Sequence, residues 1–229
     1  MLLRLRRKAR PFDVPVQDLM LRIWASGELY EEARAAGMHF WEQVQSYAIR
    51  NPSFRSSKRP LAVPGDAPLI VRQMAELSAV AGVGPMFTFR GALTEFVGRK
   101  IAERSAEVTV NCGEDHFVVT RRRSRLGVGA PSRREHRLAV VVNPALGPQG
   151  IYATLGRSAL RADAEEGLVV VARSCILADA AAAGATAILA KANSFRTALA
   201  YLQGLSGVHG AVVMRGRHIG VAGALELAA

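Results

Sequence analysis

The chain has 229 residues, of which 50% are hydrophobic, and it carries a formal net charge of +11 at pH 7. This length and apolar content suit one large compact domain. The two cysteines are neither a close pair nor accompanied by histidines at metal-ligand spacing, which argues against a zinc site, and they do not suggest a disulfide framework. No apolar run has the length of a signal sequence or a membrane span, so we predict a cytoplasmic protein without membrane contact.

The first half of the chain is mainly helical in its pattern. Apolar side chains recur at three- and four-residue spacing between 28 and 49, which predicts an amphipathic helix. A loop follows over 53–67, where prolines and a glycine accumulate. Two further helices are predicted over 69–81 and 91–102, separated by a turn that contains Gly84.

The second half begins with strands. Alternating β-branched and aromatic residues predict an antiparallel sheet, and its first strands are 108–110, 117–119, 138–142 and 168–171. Ser174 is placed to cap a helix over 175–189. A last helix is predicted over 194–202, followed by a hairpin that pairs 210–214 with 218–221. These elements predict an α+β fold in which helices pack on an antiparallel sheet.

Two acidic residues lie on these predicted helices. Apolar residues flank Asp179, so its carboxylate would be costly to bury without a partner. Mg²⁺, which prefers carboxylate and phosphate oxygens, is one such partner, and a backbone group or an arginine is the alternative. Glu95 shares a helix face with Gly91 and lies near Arg90, which suits a ligand with an anion and a hydrogen-bond donor; the alternative is a surface ion pair.

Several stretches together carry a resemblance to a known family. They are Gly-Pro-Met-Phe-Thr-Phe-Arg-Gly-Ala-Leu-Thr-Glu-Phe-Val-Gly at 84–98, Leu-Ala-Asp-Ala-Ala-Ala-Ala at 177–183 and Ile-Gly-Val-Ala-Gly-Ala-Leu-Glu-Leu at 219–227. In the order and spacing of these stretches, the chain resembles the small ApbE-like branch of the FAD:protein FMN transferase superfamily. The resemblance implies a single ApbE-like domain over 28–229, preceded by a basic N-terminal segment over 1–27.

The resemblance also implies a site. In this family a helical aspartate and glycine turns surround a flavin nucleotide and its magnesium ion, so FAD or FMN and Mg²⁺ are the implied cofactors. Asp179 matches that aspartate and is the implied metal ligand. The predicted catalytic residues are Glu95, Cys112 and Asp179. The predicted cofactor-binding residues are Gly84, Arg90, Gly91, Asn111, Gly113, Glu114 and Thr154.

The chain departs from the family pattern at several positions. Cys112 occupies the second position of the family's Asn-Gly-Gly-Asp turn, where it is either a reactive thiolate or an inert small apolar residue. Ala183 stands where the family has a threonine after the helical aspartate. The family's longer Ser/Thr/Gly-rich loop after 150–158 is shortened, so that Arg-Ala-Asp-Ala at 161–164 arrives early and without a histidine. We therefore expect divergence from protein flavinylation.

An arginine-rich hairpin loop spans 121–137 and contains seven arginines between Arg121 and Arg137. Such a block neutralises phosphates or contacts an acidic protein or a second subunit, and a solvated loop is the alternative. It has no stacking aromatics and no accompanying nucleic-acid-binding motif, so nucleic acid is not the predicted partner. A compositional bias toward arginine would explain the same charge without any partner.

Two classes of function follow from these features. The first is an ApbE-like protein, transferase-like if it is an enzyme, that binds a phosphorylated or ring-type ligand such as a flavin, pterin or nucleotide. A role in methanopterin-type one-carbon cofactor metabolism is a variant implied by the resemblance. The second is a non-catalytic scaffold that binds an acidic protein or nucleic acid through its arginine-rich loop.

Overall fold

The computed structural model describes residues 11–128, 138–157, 165–191, 194–215 and 218–228. Within them the helices are α1 Tyr30–Arg50, α2 Pro52–Ser56, α3 Leu69–Val80, α4 Phe89–Ala102, α5 Cys175–Leu189 and α6 Phe195–Gly204. The strands are β1 Pro11–Val16, β2 Leu19–Trp24, β3 Val108–Cys112, β4 Asp115–Val119, β5 Ser124–Val128, β6 Leu138–Val142, β7 Gln149–Arg157, β8 Glu165–Ala172, β9 Val208–Arg215, β10 His218–Gly223 and β11 Leu227–Ala228.

Eight strands form one antiparallel sheet in the order β1-β2-β3-β4-β7-β8-β9-β10, and β11-β6-β5 form a small second sheet. The helices cover one face of the large sheet, where most of the apolar core lies. On the other face, side chains such as Ile151 and Val169 pack against Leu126 and Val140 of the small sheet. The predicted α+β class, with helices packed on an antiparallel sheet, is confirmed.

The predicted helices and strands occur close to their expected positions. Ser174 caps α5 as expected, because its hydroxyl oxygen accepts a hydrogen bond from the N–H of Leu177. The stretch 11–24, predicted as part of a basic N-terminal segment, instead forms β1 and β2 at the edge of the large sheet. The reason is burial, since Val14 and Leu21 are fully buried in the core beneath α1.

Two further segments differ from the expected loops. Residues 52–56, at the start of the predicted loop over 53–67, form α2, and the buried Phe54 anchors this helix. The predicted arginine-rich loop begins with β5, while its residues 129–137 lie outside the described residues. None of the helices in the described part of the chain is long and apolar enough to cross a membrane.

Strand pairing decides which side chains face the helices. Directly opposite residues of an antiparallel pair point to the same face of the sheet. Cys112 lies opposite Asp115, Asp115 lies opposite Tyr152, and Phe117 lies opposite Gly150. Phe117 belongs to the core on the helix side, so Cys112, Asp115 and Tyr152 also face the helices. The sheet therefore presents an aspartate to the layer that carries α4 and α5.

Candidate functional site

The helices α4 and α5 meet closely at Gly91. A Cβ atom added there would lie 2.7 Å from the carbonyl oxygen of Cys175 and 2.9 Å from the Cβ of Asp179, so a side chain would separate the helices. In this position the N–H of Gly91 donates a 3.1 Å hydrogen bond to Oδ2 of Asp179. The aspartate therefore binds one of the free N–H groups in the first turn of α4.

Glu95 makes the converse contact from α4 to α5. Its Oε2 accepts hydrogen bonds from the hydroxyl of Ser174 at 2.6 Å and from the N–H groups of Cys175 at 2.7 Å and Ile176 at 3.2 Å. The guanidinium of Arg99 donates to its Oε1. Only 1% of Glu95 is exposed. Its observed contacts hold the beginning of α5, and its catalytic role stays a prediction.

The turn between β3 and β4 consists of Gly113 and Glu114. Gly113 has a φ of +62°, which L side chains rarely adopt, and a left-handed glycine at this position suits a two-residue hairpin turn. The side-chain amide of Asn111 donates to the carbonyl oxygens of Gly113 at 2.7 Å and Asp115 at 3.1 Å. Asn111 therefore fixes the shape of this turn.

His116 supports the same turn from the other side. Its Nδ1 lies 3.1 Å from the carbonyl oxygen of Glu114, and its Nε2 lies 3.2 Å from Nδ2 of Asn111. Since a carbonyl oxygen only accepts, the ring proton is on Nδ1, and Nε2 accepts from the amide. Burial lowers the pKa of His116, so the neutral ring that these contacts require is the dominant form at neutral pH.

Asp115 is the buried acid of the sheet. It is fully buried, and neither carboxylate oxygen has a hydrogen-bond partner among the described residues. Burial raises its pKa well above the ordinary range for aspartate, and the negative charges of Asp179 and Glu114 raise it further, while Arg90 opposes the shift. A buried carboxyl group without partners is costly unless it binds a proton or a cation.

Asp179 has a similar environment on the helix side. Only 7% of the residue is exposed, and burial raises its pKa to about 7 although Gly91 and Arg90 favour the charged form. The charge of Glu114 adds to the rise. The charge of Asp179 also raises the pKa of Asp115, so the two buried carboxyl groups repel each other when both are ionised.

Arg90 is the cation of this cluster. Its Nη1 lies 3.1 Å from Oε2 of Glu114, and both side chains remain partly exposed. Burial alone would lower the pKa of Arg90, but the carboxylates of Glu114, Asp115 and Asp179 raise it, so the guanidinium is charged throughout. One positive charge thus faces three acidic groups.

Both cysteines lie beside the acids and are buried. Burial raises the pKa of Cys112 to about 11, with a further rise from Asp115. Burial likewise raises the pKa of Cys175, the first residue of α5, well above its ordinary value. Cys112 is therefore a protonated thiol at neutral pH, which favours the inert apolar alternative over the reactive thiolate.

Two of the predicted cofactor-binding residues have other surroundings. Gly84 is buried, and a Cβ atom there would overlap the carbonyl oxygen of Ser57, so this glycine admits the loop that follows α2. Thr154 is exposed on β7 and lies two residues beyond Tyr152 on the same face of the strand. Their roles in binding a cofactor stay predictions.

The structure brings together six of the predicted residues and adds three others. The predicted members are Arg90, Gly91, Cys112, Gly113, Glu114 and Asp179. The added ones are Asp115, Tyr152 and Cys175. Alternation in β4 is the signal that identifies Asp115, because an aspartate two residues before the apolar Phe117 shares its inward face. Burial and nearby acids raise the pKa of Tyr152 to about 12, so its phenol stays protonated and can donate.

The donor set suits a cation that is completed by its ligand. Among the described residues, no group of three or more His, Cys, Asp or Glu side chains has the geometry of a metal site. Mg²⁺ that binds with a phosphorylated ligand needs only one or two protein carboxylates, since phosphate oxygens and water complete its shell. The buried pair Asp115 and Asp179, with the unpartnered oxygens of Asp115, fits that requirement.

Comparison with solved structures defines the class of fold. A mutant of the flavin transferase ApbE from Vibrio cholerae superposes with a TM-score of 0.63, covering 94% of this chain and 98% of that one, at 10% sequence identity. The apo flavinyl transferase ApbE of Pseudomonas stutzeri gives a TM-score of 0.61, covering 94% of each chain, at 12% identity. The chain therefore has the ApbE fold.

Sequence comparison then gives the family. The family model described as AbpE bacteria matches residues 4–201, and the chain belongs to this family. A UPF0280 protein of Methanopyrus kandleri is 28% identical over 217 residues, which cover 90% of this chain and 86% of the relative. A UPF0280 protein of Methanococcus maripaludis is 27% identical over 210 residues, which cover 86% and 83%. The predicted resemblance to an ApbE-like branch is confirmed.

Proposed function

We propose that this protein binds a phosphorylated flavin, pterin or nucleotide together with Mg²⁺, and that Asp115 and Asp179 hold the cation. One observation carries the proposal: Asp115 is fully buried, lacks hydrogen-bond partners on both oxygens and lies beside a second buried carboxyl group. Native proteins satisfy most buried polar atoms, so the unsatisfied carboxyl group of Asp115 indicates a ligand that the chain itself does not supply.

The charge balance supports a cation in this place. With Asp115, Asp179 and Glu114 ionised, three negative charges act against the one positive charge of Arg90 in the described part of this cluster. Two protons or one divalent cation would restore neutrality. A divalent cation does so while leaving Arg90 available to a phosphate group, because the side chain of Arg90 is partly exposed.

The residues around the pair have distinct tasks in this proposal. Bound Mg²⁺ would neutralise phosphate oxygens and polarise the phosphoryl group. Glu95 and Gly91 hold α4 against α5 and so fix the position of Asp179, and Asn111 fixes the turn that carries Glu114. The protonated phenol of Tyr152, across the ladder from Asp115, supplies a hydrogen-bond donor for the ligand.

The reaction is proposed to be transferase-like and to differ from protein flavinylation. Ala183 offers no hydroxyl where the family pattern has a threonine, and Cys112 is a buried thiol at the end of β3, next to the turn. The fold of ApbE flavin transferases favours a flavin nucleotide as the ligand. The occurrence of relatives in Methanopyrus and Methanococcus favours, as a second candidate, a pterin of methanopterin-type one-carbon metabolism.

The test begins with the purified protein as it is isolated. Small molecules released on denaturation are identified by mass spectrometry and absorbance, beside Asp115→Asn and Asp179→Asn proteins prepared identically. Binding of FAD, FMN and ADP is then titrated with and without Mg²⁺ by calorimetry. We expect Mg²⁺-dependent binding that both substitutions abolish.

The matched control is Asp66→Asn, because Asp66 is exposed in the loop before α3 and far along the chain from both acids. This variant is expected to bind as the wild type does. If no nucleotide, flavin or pterin is released or bound with Mg²⁺ present, the proposal fails. In that case the scaffold hypothesis, with the arginine-rich loop as the binding surface, becomes the better one.

A further inference from the structure

We propose that Glu114 is an internal counter-ion that occupies Arg90 in the free protein and is displaced from it when a phosphate group binds. Arg90 then serves as the anion subsite beside the Asp115 and Asp179 cation site. This inference rests on the proposed function, and it adds that the site carries its own competitor for the ligand.

The two residues are in close contact, although the contacting oxygen, Oε2 of Glu114, is itself buried. Nη1 of Arg90 lies 3.1 Å from Oε2 of Glu114, and the side chains are 45% and 38% exposed. Gly113 makes room for the guanidinium, because a Cβ atom there would lie only 3.1 Å from the same Nη1. A phosphate group from solvent can therefore reach the exposed part of the guanidinium, and Nη1, which Oε2 now contacts, becomes available once the side chain of Glu114 moves away.

The backbone that carries Glu114 is fixed. Its carbonyl oxygen accepts from the N–H of Ala153 at 2.9 Å and from Nδ1 of His116 at 3.1 Å, and Asn111 holds the carbonyl groups on either side. Exchange of carboxylate for phosphate therefore requires only rotation of the side chain of Glu114. The turn itself stays in place.

Replacement of the Glu114 carboxylate by a phosphate group at Arg90 should be favourable in free energy. Ion pairs with this exposure contribute little net free energy, since water solvates both partners well when they separate. A phosphate group carries more negative charge than a carboxylate and can bind the guanidinium through two oxygens. Mg²⁺, if held by Asp115 and Asp179, would provide the phosphate with a second cation.

Glu114 has opposite effects on the two components of the ligand. Glu114 directly precedes Asp115 in the chain and contacts Arg90, so its charge lies close to the proposed sites for the cation and for the anion. This charge attracts a cation and repels a phosphate. Removing the charge should therefore weaken binding of Mg²⁺ alone while it strengthens binding of the anion, and a merely structural role would not separate the two.

The experiment compares the wild type with Glu114→Gln, Arg90→Gln and the double variant. Calorimetric titrations use Mg²⁺ alone and ADP at saturating Mg²⁺. We expect Glu114→Gln to bind Mg²⁺ about 3-fold more weakly and ADP about 3- to 10-fold more tightly. In the Arg90→Gln background the Glu114 substitution should lose most of its effect on ADP, because the competition acts through the guanidinium.

The exposed residue Glu28 provides the control, and Glu28→Gln should match the wild type in both titrations. Unchanged or weaker ADP binding by Glu114→Gln, with wild-type binding intact, would overturn the counter-ion role and leave the proposed function standing. A tighter binding that persists in full without Arg90 would also overturn it. If the wild type binds neither Mg²⁺ nor ADP, the proposed function itself fails and this inference with it.

Discussion

Glu95 on α4 and Asp179 on α5 each bind the N-terminus of the helix that carries the other. Glu95 accepts from the N–H groups of Cys175 and Ile176, and Asp179 accepts from the N–H of Gly91. Carboxylates at helix N-termini satisfy free N–H groups and complement the helix dipole. This reciprocal contact fixes the two helices at their crossing, and it determines where the second carboxylate oxygen of Asp179 can reach.

The contribution of Glu95 to stability can be measured directly. Glu95→Gln should lower the free energy of unfolding by about 2 kcal/mol, because a buried charge-assisted set of hydrogen bonds is weakened. Urea denaturation followed by circular dichroism gives the value. The control is Glu42→Gln on the exposed face of α1, which should leave stability unchanged. Equal stability of both variants would show that the cap is dispensable.

The pH dependence of stability follows from Asp179. Its pKa is raised to about 7 in the folded protein and is near 3.9 in the unfolded chain. Between these values the folded state keeps a proton that the unfolded state has lost, so the stability of the metal-free protein should fall as pH rises from about 4 to about 7. Asp179→Asn should remove this part of the slope. Melting curves in EDTA over that range test the expectation.

In the metal-free protein, Asp115 should destabilise the folded state. Asp115→Asn removes a buried carboxyl group without partners, so we expect the metal-free variant to be at least as stable as the wild type. Mg²⁺ should raise the melting temperature of the wild type and leave that of the variant unchanged, since only the folded wild type binds it. Identical Mg²⁺ responses of the two proteins would exclude Asp115 as a ligand.

The cysteines should be unreactive in the folded protein. Burial raises the pKa of Cys112 to about 11 and also raises that of Cys175, so a thiol reagent at pH 8 should modify neither within minutes. Unfolding in guanidinium should expose two thiols for each chain. Fast modification of one thiol in the native protein, traced to Cys112 by mass spectrometry, would instead support a reactive thiolate.

Gly150 should tolerate no side chain. A Cβ atom on this residue of β7 would overlap the backbone of Ser174 and Cys175 at the start of α5. Gly150→Ala should therefore cost about 3 kcal/mol or more of stability, because the backbone of the helix must shift. Gly65→Ala is the matched control, since nothing lies within 4 Å of the added atom. A control-like melting temperature for Gly150→Ala would contradict this packing.

Much of the fold follows from local pattern, while the site follows only partly. Helix α3 has a clear apolar period, and Ser174 is a recognisable cap, so both are predictable. The hairpin of β1 and β2 is harder to predict, because a basic segment precedes it and its apolar residues become buried only by packing against α1. The predicted residue Asp179 lies in the cluster. Asp115 was not predicted, because the match of 111–114 to the family's Asn-Gly-Gly-Asp turn assigned the acidic position to Glu114.

The sequence by itself determined the succession of helices and strands, the family and the likeness of Asp179 to a family aspartate, because these depend on neighbours along the chain. Only the tertiary structure decided which acids share an environment. Glu95 and Cys175 are 80 residues apart in the chain, and Gly91 and Asp179 are 88 apart. The hydrogen bonds within these two pairs form only when α4 and α5 cross. Burial raises the pKa of both Asp115 and Asp179, and burial exists only in the folded chain.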